Sequence, residues 1–123
     1  MALNRALRLR KSGDFQRVRQ QGRSVSSRLL LLTWAPNNLA TLRIGFVISK
    51  RVSKLAVKRN SLKRLLGEAI RPVLAHLPQG WDLVLSARTQ IIDTDLPMLT
   101  QEIATLLRRA HLLESTPTKG TSS

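Results

Sequence analysis

Residues 50–64 carry Lys50, Arg51, Lys54, Lys58, Arg59, Lys63 and Arg64, with Asn60 among them and no acid. Ammonium and guanidinium groups in such a run cannot cleave a bond alone, but they are the groups that bind phosphate. Ordinary solvated helix faces mix signs, because Glu and Lys four residues apart gain roughly 0.2–0.5 kcal/mol per pair and like charges lose about as much. Lys54 with Lys58, and Arg59 with Lys63, are like pairs at that spacing. The cost makes sense if a polyanion supplies the missing negative charge.

Groups that could carry out a reaction are scarce. His76 and His111 fall on expected helices with no second ligand at metal spacing, and they read as surface or boundary histidines. Asp93 and Asp95 stand beside a helix start, where carboxylates act as caps far more often than as an acid/base pair. There is no Gly-x-x-x-x-Gly-Lys-Ser/Thr loop. Cysteine is absent, which removes disulfides, thiolate nucleophiles and cysteine-ligated zinc. If a phosphodiester is cut in the presence of this protein, something else supplies the catalytic groups.

The charge is asymmetric along the chain. The net charge is +14, and residues 1–67 hold sixteen Lys/Arg against one acid, Asp14, while residues 68–123 hold five against six. With a pI near 11.9, this points to nucleic acid before membrane, since phosphate binding releases condensed counterions. At 123 residues the chain fits one domain, 1–114, followed by a polar tail, 115–123, expected to be disordered. Arg5, Arg8 and Arg10 interrupt the N-terminus, so it does not read as a signal peptide. The longest fully apolar run, Leu29–Leu32, is far short of the ~20 residues that span a bilayer. A soluble protein is expected.

The basic run must be positioned by a helix. Over Leu55–Arg71, Leu62, Leu65, Leu66, Ala69 and Ile70 fall on one side, and Asn60, Lys63, Arg64, Gly67 and Arg71 on the other, with Arg59 near the boundary. Gly67 falls on the charged side, where it either lets an RNA backbone approach or has no role. Pro72 ends or kinks this helix. Before it, Ser12 can cap a short helix over residues 12–21 that stops near Gly22. Within that helix Phe15 is either a core residue or a stacking platform for a base.

Strands are expected over residues 24–28, 29–34 and 41–49. Ser26 and Ser27 interrupt the first two, and Ala35-Pro-Asn-Asn forms a turn. Gly45 marks a bend or a close approach. A turn at Pro78-Gln-Gly80 leads to a strand over 81–87, and the strand-helix-strand order implies a parallel pair. A last helix runs from about Leu96 to Leu113, capped by Asp93 or Thr94, with Leu99, Ile103, Leu106 and Ala110 facing the sheet.

Arg43-Ile-Gly-Phe-Val-Ile-Ser-Lys-Arg51 followed by Ala56-Val-Lys-Arg-Asn-Ser-Leu-Lys-Arg-Leu-Leu66 resembles the signature of the bacterial ribonuclease P protein component. The resemblance extends to Leu9-Arg-Lys-Ser-Gly-Asp-Phe-Gln-Arg17 with Gly22, and to Trp81-Asp-Leu-Val-Leu-Ser-Ala-Arg88. It implies an α/β (α+β) fold of order α-β-β-β-α-β-α. The four-stranded sheet would have a left-handed β-α-β crossover, against the usual hand, a topology shared with a domain of a ribosomal protein.

The resemblance also implies a function. The protein would assist a catalytic RNA that removes the 5′ leader of precursor tRNA. Hydrolysis and its Mg²⁺ would belong to the RNA, and no cofactor would be bound by the protein alone. Lys50, Arg51, Lys54, Lys58, Arg59, Asn60, Lys63 and Arg64 map onto the motif that contacts the RNA subunit. Phe15, Arg19, Arg28 and Trp34 are the candidates for the leader cleft, Trp34 only if strand alternation turns it there rather than into the core. Two positions depart from the family pattern. Ser61 replaces the second arginine of Arg-Asn-Arg, and Arg19 and Thr33 stand where relatives often carry aromatic rings, which shifts leader binding from stacking toward charge.

The partners expected are ribonuclease P RNA, bound by one copy of the protein, and precursor tRNA, in the cytoplasm, with neither DNA nor membrane. The rivals are a general structured-RNA or ribosomal binding protein of the same fold, and a transcriptional regulator. No helix stands before the basic helix in helix-turn-helix position, which weighs against the regulator. A metal-dependent nuclease lacks a ligand cluster.

Overall fold

The computed structural model describes residues 7–113; the expected tail, 115–123, lies outside them. The elements in chain order are α1 (Ser12–Gln21), β1 (Arg23–Ser26), β2 (Leu30–Pro36), β3 (Arg43–Val47), α2 (Ala56–Ile70), β4 (Trp81–Ala87) and α3 (Leu96–Arg109). This is the expected α-β-β-β-α-β-α order. Short 3-10 segments, Arg71–His76 and Thr89–Asp93, follow α2 and β4. Among the described residues no helix is long and apolar enough to cross a membrane.

The sheet order is β1-β2-β4-β3. β1, β2 and β4 pair antiparallel, while β3 and β4 are parallel neighbours joined through α2. The Ser26-Ser27 interruption is a hairpin turn, closed by Ser27 N–H donating to the Leu30 carbonyl at 2.8 Å. β2 runs further than expected, since Pro36 is its last residue, opposite Trp81. β3 is shorter than the apolar run that suggested it.

Both faces of the sheet are covered. Leu30, Leu32, Trp34, Ile44, Leu83 and Leu85 pack with Leu62, Leu66 and Ile70 of α2 and Leu99, Ile103 and Leu106 of α3. Each such side chain contributes about 1.5–3 kcal/mol of burial. A smaller cluster on the other face joins Leu9, Val18, Ala35 and Val84, with Phe15 and Val47 at its margin.

Three local expectations are corrected. Lys11 occupies the N-cap of α1 and Ser12 is already helical. Asp95, not Asp93 or Thr94, caps α3, its Oδ1 accepting from Met98 N–H at 3.0 Å, because Asp93 belongs to the preceding 3-10 segment. Gly67 is buried rather than part of the charged surface. Pro72 does end the α-helix as expected: α2 closes at Ile70, Arg71 keeps helical dihedrals, and the chain goes on in 3-10 form over Arg71–His76.

Candidate RNA interface

Most of the basic run is open to solvent. Lys50, Arg51 and Lys54 lie in the β3–α2 connection, and Lys58, Asn60, Lys63 and Arg64 on α2, all exposed. None of these six cations pairs with an acid among the described residues, so their charge is available to a partner. Arg59 is different. It is half-buried, and its guanidinium donates to the Ser53 carbonyl at 2.9 Å, bracing the connection against the first turn of α2.

Lys63 and Arg64 also wall a depression of about 430 Å³, together with Arg8, Leu9, Arg10, Phe15, Ile44, Gly45 and Phe46. The floor is apolar and aromatic and the rim carries four cations, a combination suited to a nucleotide whose base packs on rings while its phosphate meets Arg or Lys. The N-terminal segment forms one wall by bridging β3 in parallel at Arg8 and Ile44, with Leu9 N–H donating to the Ile44 carbonyl at 2.8 Å.

Of the two roles the sequence left open for Phe15, the structure shows the core one, and it leaves part of the ring at the depression. Its ring packs on the small cluster with Leu9, Val18, Ala35 and Val84, and it is half-buried at the wall of the depression. The close approach at Gly45 is to this ring rather than to another backbone. Gly22 is where backbones do meet, since a side chain there would run into the Val18 and Trp34 carbonyls.

The other leader candidates are placed unequally. Arg19 is exposed one turn after Phe15 on α1. Arg28 lies in the β1–β2 turn beside Leu29, Gln90, Asp93, Thr94 and Met98, and the structure does not bring it to the Phe15 depression. Trp34 is corrected: it is buried with Leu30 and Leu32 in the main core, on the sheet face away from Phe15, because residues two apart on β2 share a face.

What holds α1, and therefore Phe15, is a network that sequence reasoning missed. Asp82 is fully buried on β4 and pairs across the ladder with Arg43. Arg43 Nε donates to Asp82 Oδ1 at 2.9 Å and its terminal nitrogen to Oδ2 at 2.8 Å. Asn37 Nδ2 donates to Oδ1 at 2.9 Å, and Arg17 of α1 donates to Oδ2 and to the Pro36 carbonyl at 2.9 Å. Asp14 adds a second carboxylate, 3.6 Å from Arg43.

Burial pushes the Asp82 carboxyl up, but hydrogen bonds from Arg43 and Asn37 and the charges of Arg43 and Arg17 outweigh it and hold it below the usual carboxylate range. Arg43 is raised, chiefly by its hydrogen bond to Asp82. The available signal was an acid inside the largely apolar strand Trp81–Ala87, which requires buried partners.

His76 and His111 are exposed. Among the described residues no group of three or more His, Cys, Asp or Glu could hold a metal ion.

The ribonuclease P family model matches residues 3–111. A ribonuclease P protein component from Chloroflexus aurantiacus is 46% identical over 122 residues, covering 98% of this chain and 89% of the relative. One from Caldanaerobacter subterraneus is 37% identical, covering 87% and 91%. The solved RNase P protein of Staphylococcus aureus superposes with a TM-score of 0.80 at 27% identity, over 89% of this chain and all of that one. The Thermotoga maritima protein gives 0.74 at 26%, over 83% and 96%. A match over nearly the whole length, on the same fold, places this chain in the bacterial ribonuclease P protein component family.

Proposed function

We propose that this protein binds the RNA subunit of ribonuclease P through Lys50, Arg51, Lys54, Lys58, Asn60, Lys63 and Arg64, with Arg59 bracing that surface, and receives the 5′ leader of precursor tRNA beside Phe15 and Arg19. One observation carries the reading: Lys63 and Arg64 belong to the basic surface and also wall the Phe15 depression. The two RNAs would therefore meet the protein on adjoining surfaces.

The contribution is electrostatic and positional. Cations between two polyanions lower their mutual repulsion, so less Mg²⁺ is needed for substrate and RNA subunit to associate. In this reading hydrolysis of the phosphodiester, with its Mg²⁺, belongs to the RNA, and one copy of the protein serves one RNA. The test compares binding of leader-bearing precursor and mature tRNA by the RNA subunit with and without the protein. Tighter binding of the precursor alone is expected, and equal tightening of both would favour a general RNA-binding role.

A further inference from the structure

Two of the most exposed large apolar side chains among the described residues lie two positions apart in the chain: Leu55, 69% exposed, and Val57, 78% exposed. They stand at the start of α2, with Ala56 between them also exposed. Burial does not account for them, since neither belongs to either apolar cluster. Their setting indicates the partner. Arg51, Lys54 and Lys58 surround them in the chain, all exposed and in no ion pair with a described residue.

Residues three, four and seven apart share a helix face. Val57 therefore lies on the stripe formed by Asn60, Ser61 and Arg64, all exposed. Whatever covers Asn60 and Arg64 covers Val57 as well. Ser61 leaves the position one turn beyond Val57 uncharged, so this part of the stripe has no cation of its own to offer a phosphate.

We propose that Leu55 and Val57 form an apolar contact with unpaired nucleotides of the RNA subunit, packing on base faces or ribose where a loop or bulge leaves them unstacked, while the flanking cations hold the phosphates. This rests on the reading that the basic surface binds that RNA. Phosphate gives an aliphatic side chain no favourable contact, whereas splayed bases offer apolar faces. The contact supplies the part of the affinity that salt does not screen, because an apolar contact releases no counterions.

The test is the affinity of the full-length protein for ribonuclease P RNA across a salt series, for the natural chain, Leu55→Ser/Val57→Ser, Val57→Ile and Lys58→Ala. Both apolar positions face solvent, so the double variant should retain the fold, checked by circular dichroism. Its affinity should fall about five- to tenfold at every salt concentration, with an unchanged log–log slope. Val57→Ile should bind as the natural chain does, and Lys58→Ala should lower the slope. A double variant that binds within about twofold of the natural chain, or one whose slope changes as that of Lys58→Ala does, overturns the proposal. So does unchanged RNA affinity accompanied by loss of self-association, which would assign the patch to a second copy of the chain. Failure of the natural chain to bind the RNA at any salt concentration would instead overturn the underlying reading of the basic surface.

Discussion

The ring of Phe15 fills the space that a side chain at Gly45 would occupy: a methyl group on Gly45 would stand 2.5 Å from Phe15 Cε1 and Cζ. A strand glycine thus seats an aromatic ring from α1 at the wall of the depression. Gly45→Ala should push the ring off its seat and destabilise the protein by about 1–3 kcal/mol, the usual range for overpacking. In a Phe15→Ala background the same substitution should cost little. Urea denaturation of the four proteins of this cycle measures the coupling, and additive losses would contradict the contact.

Phe15→Ala should weaken binding of leader-bearing precursor tRNA more than of mature tRNA, because a stacking side chain contributes about 1–3 kcal/mol per base. Titrating both RNAs against the assembled complex is the check. Equal losses would mean that Phe15 serves the fold alone.

The Asp82 network predicts acid sensitivity. The folded carboxyl lies below its ordinary value of 3.8, so its contribution to stability is complete above that value and is lost as the pH falls through the lower folded value. Asp82→Asn should cost about 2–3 kcal/mol near neutral pH, less than a wholly buried pair, because Arg17 and Arg43 remain 27% and 23% exposed. The variant should also lose part of the acid-dependent fall in stability. Thermal unfolding between pH 2.5 and 7 tests this, and parallel curves for both proteins would remove Asp82 from the account.

Arg64→Ala should weaken binding of the RNA subunit and reduce the log–log salt slope by roughly one unit or less for each phosphate that the guanidinium neutralises. A filter-binding series suffices to measure it. An unchanged slope would take Arg64 out of the interface.

The element order was legible in the sequence because α2 and α3 have clear apolar stripes and the strands end at Pro, Gly or Ser signals. Trp34 was ambiguous for a physical reason. Both faces of β2 are covered, by the core helices and by α1, so its apolar run lacks the alternation that assigns a face. The α3 cap was ambiguous because Asp93, Thr94 and Asp95 are all capping residues, and only the 3-10 segment Thr89–Asp93 decides among them. The wall formed by Arg8 and Leu9 rests on a single bridge to Ile44, too short to leave a periodic pattern. The basic surface was legible because its charges are unbalanced within the chain itself, whereas the link from Asp82 to Arg17 joins residues 65 positions apart.

The most direct measurement is cleavage of a leader-bearing precursor tRNA by a bacterial ribonuclease P RNA at low Mg²⁺, with and without this protein. Strong stimulation is expected at low Mg²⁺, fading as Mg²⁺ is raised and replaces the protein's cations. No stimulation, by folded protein shown to bind that RNA, would contradict the proposed function.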